Sequence, residues 1–236
     1  MHYQTSKRAF DIGFAILLTL ASLPFMPIIA LLIVLEDPGS VFFRQLRTGR
    51  FKKPFYIIKF RTMYRNTTGS SITHCGDERV TRVGRILRKT KLDELPQLIN
   101  VLKGDMSIVG PRPEVVSHLP YYDIEDSKII FAHRPGITDL ASLLYIHEER
   151  LLAESADPTQ TYYGVILPEK NRLRIRHLTQ ESLMFDFKII IWTVLKIVLH
   201  NRIPMIECPP IKSTEKSSPN NETIHEHSLI EKDVMY

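Results

Sequence analysis

The sequence predicts an α+β chain, mostly helical: a membrane-embedded N-terminal helix, a β-hairpin, and a helical cytosol-facing domain with interfacial amphipathic helices. Three observations lead there: a long uncharged apolar run near the N-terminus, two short aromatic-rich strands directly after it, and helical spacing through much of the remainder. At 236 residues and a net charge of +5, the chain can hold one substantial domain plus anchoring elements. The expected division is a membrane helix over 1–36, a cytosol-facing domain over 37–203 and a disordered polar tail over 204–236.

The apolar run, residues 12–35, carries no charge and follows Lys7, Arg8 and Asp11. At 1.5 Å per residue it can cross a hydrocarbon core of ~30 Å. It is too long for the apolar part of a signal peptide, and no small-residue cleavage site stands before Glu36 and Asp37. Ser22, Pro24 and Pro27 lie in its middle, where each proline removes a backbone hydrogen bond and crowds the preceding turn. A helix kinked there can still span, or it can bend back so that both ends emerge on one face. Lys7 and Arg8 precede the run and a basic cluster begins at Arg44; the positive-inside rule draws both flanks to the cytoplasm and favours a re-entrant helix broken at Ser22 and Pro24. A buried helix of a soluble domain is disfavoured by so long an uncharged run.

Asp37-Pro38-Gly39-Ser40 reads as a turn. Residues 41–47 and 55–63 read as two strands joined through Gly49 and Pro54 into a hairpin. Lys59 and Arg61, two apart, project from one strand face. Cations crowd 44–61 and again 79–91, a pattern that expects anions: nucleic acid, anionic lipid or phosphorylated small molecules. Cys75 and Cys208 show no metal-ligand spacing, and a reduced, cytosol-facing location is the simpler reading. Residues 66–76 form a polar loop. A short helix over 81–89 should turn Val83, Ile86 and Leu87 inward, leaving Arg82, Arg85 and Arg88 as a cationic edge.

That edge leads to Asp93 and Glu94, followed by Pro96 and by Leu92, Leu95, Ile99 and Leu102 at helical spacing up to Gly104. Proline is tolerated only in the first turn of a helix, so the two carboxylates should sit at its start, beside unpaired N–H groups and the positive end of the dipole. Such a place suits phosphate, or a carboxylate nucleophile that works on phosphate. An acidic first turn can also be a plain cap; the surrounding cations tip the balance. Arg112, between Pro111 and Pro113, and Arg134, before Pro135-Gly136, are stiffly held guanidiniums suited to bidentate binding of phosphate oxygens, though a Pro-Arg-Pro turn can equally be surface.

Lys59-Phe60-Arg61-Thr62-Met63, Leu92-Asp93-Glu94-Leu95-Pro96-Gln97-Leu98, Gly104-Asp105-Met106-Ser107, Gly110-Pro111-Arg112-Pro113 and Arg134-Pro135-Gly136-Ile137-Thr138 occur in this order. Together with the apolar run containing Ser22 and Pro24 they resemble the bacterial sugar transferases known as monotopic phosphoglycosyl transferases, over about residues 7–140. The resemblance implies transfer of a sugar-1-phosphate from a nucleotide-diphosphate sugar, UDP-linked, to polyprenyl phosphate, with Mg²⁺, at the cytoplasmic face of the bacterial inner membrane. It implies Asp93 as the nucleophile, Asp93 and Glu94 as Mg²⁺ ligands and Glu94 as a catalytic aid to proton movement, with Lys59, Arg61, Arg88, Arg112 and Arg134 as candidates for binding the substrate phosphates; Arg61 has a structural carboxylate as its alternative partner. Carboxylate nucleophiles split one difficult displacement into two, phosphoryl transfer depends on neutralising spread charge, and Mg²⁺ prefers hard oxygens. The expected partners are membrane lipid and both substrates, not nucleic acid, and a homodimer is compatible with all of this.

Many relatives continue Arg-Pro-Gly-Ile-Thr-Gly-Leu-Ala-Gln; here Asp139 and Ser142 replace the Gly and the Gln, which leaves the sugar open if this segment touches it. Residues 144–180 read as helices broken by a Pro-containing loop, with His147 and Glu148 on solvated faces and Tyr162 and Tyr163 packed in the core. Residues 185–199, apolar but interrupted by Asp186, Lys188 and Lys196, read as an amphipathic helix against the bilayer or the core, with Trp192 suited to an interface. His225 and His227 in the tail do not make a metal site. The competing reading is a membrane-anchored basic module that binds nucleic acid or anionic lipid without catalysis; it does not explain why carboxylates and rigid arginines accompany the cations. A non-catalytic scaffold is disfavoured by the intact Asp93, Glu94 and Arg112.

Overall fold

The computed structural model describes residues 2–65, 77–145, 148–180 and 182–199; the 66–76 loop, His147, both cysteines and the tail lie outside the described residues. Helix α1 (His2–Ser22) and helix α2 (Met26–Glu36) form the N-terminal pair, bent by 62°. The break falls at the expected residues: Ser22 ends α1, Pro24 occupies the turn, and Pro27 is accommodated in the first turn of α2. No single described helix is long and apolar enough to cross a membrane; α1 and α2 reach that length only as a bent pair.

The hairpin is strand β1 (Phe42–Thr48) with strand β2 (Pro54–Phe60), antiparallel, Phe42 opposite Phe60 and Thr48 opposite Pro54. Its second strand is shorter than expected, so Arg61 lies beyond the ladder rather than beside Lys59 on one strand face. Helix α3 (Arg82–Thr90) is capped by the Thr81 side chain, which accepts from the Gly84 N–H. Leu87 turns inward as expected, but Ile86 is 64% exposed. A 3₁₀ turn (Leu92–Glu94) precedes helix α4 (Gln97–Lys103). Helix α4 buries Gln97, Leu98, Asn100 and Val101, whereas Ile99 and Leu102, and Leu92 on the preceding turn, three of the four residues whose spacing suggested the helix, are exposed.

Strand β3 (Ser107–Val109) and strand β4 (Gly136–Thr138) pair in parallel, with helix α5 (Ile124–Ile130) between them in the chain. The backbones approach so closely that a Cβ on Gly136 would sit 2.1 Å from the Gly110 nitrogen; no side chain fits there. Helices α6 (Leu140–Leu144), α7 (Glu148–Ala153), α8 (Pro158–Thr161) and α9 (Leu167–Leu178) follow, and α10 (Leu183–Leu199) closes the described chain. Between α8 and α9 a π turn (Tyr162–Ile166) precedes Pro168: the ring would strike the carbonyl of Gly164, and the widened turn relieves it.

One core joins Ala15 of α1, Leu98 and Val101 of α4, Ile108 of β3 and Ile189 of α10; a second joins Ile130, Phe131, Ile166 and Leu167. Polar bonds cross the expected boundary at residue 36. Asp11 accepts from Ser107 Oγ and the Ile108 N–H, and Arg8 donates to the carbonyls of Val101 and Leu102 at the C-terminus of α4. At the far end of the pair, Glu36 accepts the N–H groups of Arg82 and Val83, filling the open amides of α3. Outward from these joints, Leu17, Leu20, Ile28, Leu31 and Leu35 are exposed, as are Trp192, Val194 and Val198 of α10.

Asp186, fully buried, ties three helices by accepting from Lys7 Nζ at 2.7 Å, Tyr3 Oη at 3.0 Å and His177 Nε2 at 2.8 Å. Replacing it with alanine leaves Lys7 without its counter-charge, and should cost roughly 3–5 kcal/mol, read as a lowered unfolding midpoint in detergent; an unchanged midpoint would show that α1 does not depend on this joint.

Candidate active site

The site is built where the end of α3, the 3₁₀ turn and β2 meet. Lys91 ends α3 in the left-handed conformation, φ 57°, reversing the chain so that Asp93 and Glu94 fold beneath the surface instead of extending the cationic helix. Both are buried. They lie on their own 3₁₀ turn ahead of α4, whose N-terminus is at Gln97, so the expected placement on the first turn of that helix is corrected by one turn. The Asn100 side chain sets the depth of the site: its amide donates to the Tyr56 carbonyl and its oxygen accepts the Ile58 N–H, so α4 continues the open edge of β2 and brings Lys59 over the turn.

Glu94 is the electrostatic centre. Lys59 Nζ lies 3.0 Å from Oε1, and Arg112 Nη2 lies 2.6 Å from the same oxygen, with Nη1 at 3.5 Å from Oε2. Burial works against the charge on Glu94, but Arg112 and then Lys59 outweigh it and hold the carboxyl well below the usual range. The reverse holds for Asp93: burial first, then the charge of Glu94, push its carboxyl up, against the opposing pull of Lys59, Lys91 and Arg112. Asp93 Oδ1 is buried and has no hydrogen-bond partner among the described residues. Two adjacent carboxylates are thus split in character: one neutralised by cations, the other more basic than usual and uncommitted. That split is the arrangement by which paired acids take different roles.

The structure brings Asp93, Glu94, Lys59 and Arg112 together. Arg88 stands on the last turn of α3, its Nε donating to Thr62 Oγ1 at 2.9 Å; Gly84 makes this packing achievable, since a Cβ there would meet the Thr62 carbonyl oxygen at 2.1 Å. Arg61 instead pairs with Asp37, to both its backbone carbonyl and its carboxylate, the latter at 3.4 Å, the alternative partnership anticipated for it. Arg134 donates from Nε to the Gly104 carbonyl, at the end of α4 opposite the carboxylates, and works as a helix C-cap. Glu148, expected on a solvated face, is bound by Lys170 at 2.6 Å; Tyr162 is buried in the core. Asp139 is completely buried, so it does not itself touch a sugar.

Residues 2–200 match the family described as bacterial sugar transferase. The chain belongs to the bacterial sugar transferase family. It is 48% identical over 141 residues to the UDP-glucose:undecaprenyl-phosphate glucose-1-phosphate transferase of Caulobacter vibrioides, an alignment covering 58% of this chain and 53% of that protein. It is 38% identical over 204 residues to the UDP-N-acetylgalactosamine-undecaprenyl-phosphate N-acetylgalactosaminephosphotransferase of Aeromonas hydrophila, covering 83% of this chain and 44% of the relative. The exopolysaccharide production protein PSS of Rhizobium leguminosarum bv. phaseoli is 36% identical over 201 residues, covering 80% of this chain and 93% of it. The chain thus spans about half the length of the first two relatives.

What reasoning from sequence missed is the buried polar face of α9, where Lys170, Asn171, Arg174 and His177 point inward. Polar residues recurring at helical spacing were the available signal, but such a stripe normally marks the solvent side.

The split between the carboxylates can be measured directly. Titration of side-chain carboxyls by NMR should place Asp93 above the usual aspartate range, and Glu94→Gln should bring it down, since that change removes the neighbouring negative charge and leaves Lys59 and Arg112 facing Asp93. An Asp93 titration indifferent to Glu94→Gln would show that the two do not interact.

Proposed function

We propose that this sugar transferase moves a sugar-1-phosphate from a UDP-linked sugar to undecaprenyl phosphate through a covalent phosphosugar-aspartate on Asp93, at the cytoplasmic face of the bacterial inner membrane, beginning a surface glycan. The observation that carries this reading is the uncommitted Asp93 oxygen beside a Glu94 held by Lys59 and Arg112. The Asp93 carboxylate attacks the phosphorus bonded to the sugar; the P–O bond to the nucleoside monophosphate breaks and its electron pair leaves with UMP. An oxygen of undecaprenyl phosphate then attacks the same phosphorus, the P–O bond to Asp93 breaks, and the carboxylate is regenerated. Each half reaction is easier than direct transfer between two anions. Lys59 and Arg112 offset charge on the diphosphate, and Arg88, anchored through Nε to Thr62, extends the cationic edge toward the donor.

The residues suit Mg²⁺. Among the described residues Asp93 Oδ1 is a hard oxygen with no partner and Glu94 Oε2 is engaged at 3.5 Å, so these two would hold the ion, with water and phosphate oxygens completing its shell. Among the described residues no group of three acidic, imidazole or thiol side chains forms a protein-only cage. When bound, the ion supplies neutralisation of the diphosphate oxygens.

The bent apolar pair and the exposed face of α10 support residence in the bilayer surface: an apolar area this large is left uncovered where lipid or a partner meets it. The names of the relatives support UDP-sugars and undecaprenyl phosphate as substrates and exopolysaccharide production as one context.

Detergent-solubilised protein with Mg²⁺, undecaprenyl phosphate and a panel of UDP-sugars should release UMP and place sugar phosphate on lipid. Asp93→Asn should lower the rate by at least about 10³-fold, and Arg112→Ala by roughly 10²–10³-fold. The rate should fall as pH drops through the raised Asp93 value, because only the ionised carboxylate attacks. An undiminished rate in Asp93→Asn removes the nucleophile and with it the covalent mechanism, whereas no UMP release from any donor leaves a basic binding module. Cysteines placed at positions 2 and 40 should be labelled from the same side of the membrane; labelling from opposite sides would replace the re-entrant topology with a span.

A further inference from the structure

The loop that carries Arg112 is fastened residue by residue. The Gly110 N–H donates to Thr138, the Pro111 carbonyl accepts from Gly136, the Pro113 carbonyl accepts from Arg47 Nη1, and the Glu114 carbonyl accepts from the Thr48 N–H. At Arg112 itself the backbone N–H donates to Asp139 Oδ2 at 3.2 Å. The same Asp139 oxygen accepts from Arg174 Nε at 3.1 Å, while Arg174 Nη1 reaches Glu114 Oε1 at 3.0 Å. Asp139 is 0% and Arg174 1% exposed, so neither can touch a substrate.

Two features set this cluster apart from ordinary core polarity. The carboxylates and the guanidinium are removed from water, a cost offset only by close pairing; Arg174 Nε and Nη1 supply it, while its Nη2 has no hydrogen-bond partner among the described residues. The Asp139 carboxyl shows that pairing: burial opposes its charge, yet Arg174 and the bonds from Ser142 hold it below the usual range. Moreover, Asp139 and Glu114 flank the one residue of the loop whose side chain leaves it to meet Glu94.

We infer that Asp139 and Arg174 form a positioning device for the transfer reaction, acting through the backbone of Arg112 and the side chain of Glu114 to aim the Arg112 guanidinium at the site. Asp139 sets where the Arg112 backbone begins, and Arg174, reaching both Asp139 and Glu114, sets the separation of the two ends of the Arg112-Pro113-Glu114 segment. Since Pro111 and Pro113 fix the neighbouring φ angles, a displaced Arg112 N–H moves the guanidinium as a unit. The inference rests on the role proposed above for Arg112.

The test is a double-mutant cycle between positions 139 and 112. Asp139→Asn keeps one acceptor but removes the charge facing Arg174; Asp139→Ser keeps a cap for α6 while losing reach to Arg112. Each should lower kcat/KM for UMP release by about 10- to 100-fold, the scale of a small misplacement, and should weaken binding of UDP in the presence of Mg²⁺, a readout that needs no turnover. In an Arg112→Ala background the same changes should alter either quantity by less than about 2-fold, since a device that acts through Arg112 has nothing left to aim. Equal factors in both backgrounds overturn the inference, as does a wild-type kcat/KM in both Asp139 variants. If both variants melt far below the parent and lose activity in proportion to the unfolded fraction, the pair merely builds the fold and the inference falls. Failure of the proposed reaction would look different: no UMP release from any donor by the parent protein, with the UDP-binding cycle still able to report on Asp139.

Discussion

The carboxylate of Glu94, shared between Lys59 and Arg112, is the interaction around which this structure closes. A buried acid with one cation would be a local pair; with two it becomes a joint, because Lys59 belongs to β2 and Arg112 to the loop after β3. The hairpin, the 3₁₀ turn and the parallel strands therefore converge on one group of atoms. The joint gives its cations to Glu94 and leaves Asp93 facing the negative charge of Glu94, and this differentiates two neighbouring acids that are chemically almost equivalent in an unfolded chain. Burial alone would raise both; only the placement of cations separates them.

Much of this was legible in the sequence. The apolar run, its break at Ser22 and Pro24, the hairpin, the carboxylate pair and the Pro-Arg-Pro presentation of Arg112 all follow from spacing, proline geometry and charge, and the structure assembles Lys59, Arg112, Asp93 and Glu94 as a group. Arg61 and Arg134 show where such reasoning stops. Strand periodicity gives the side on which a residue projects, but not where the ladder ends, and β2 ends just short of Arg61. An arginine before Pro-Gly is stiff, but stiffness does not supply direction; the open carbonyls at the end of α4 claimed Arg134.

The least legible part lies in α9. A helix with Lys170, Asn171, Arg174 and His177 on one face reads as solvent-facing, because hydropathy counts only the cost of burying charge. It cannot see Glu148, Glu114, Asp139 and Asp186, each brought by a different part of the chain to meet those side chains. The outward turn of Ile86, expected to face inward, has a related origin, as does the exposure of Leu92, Ile99 and Leu102: helical spacing defines an apolar face, but not what covers it.

The bonds that cross residue 36 change what α1 and α2 are. Asp11 and Arg8 reach into β3 and α4, while Glu36 occupies the amides that begin α3. The pair is consequently a wall of the domain and not a tether to it. Trimming it away to obtain a water-soluble fragment would open the core between α4 and α10 and strip the first turn of α3 of its acceptors. A more polar form of this protein is better sought by keeping the wall and repainting its outer, exposed apolar side chains.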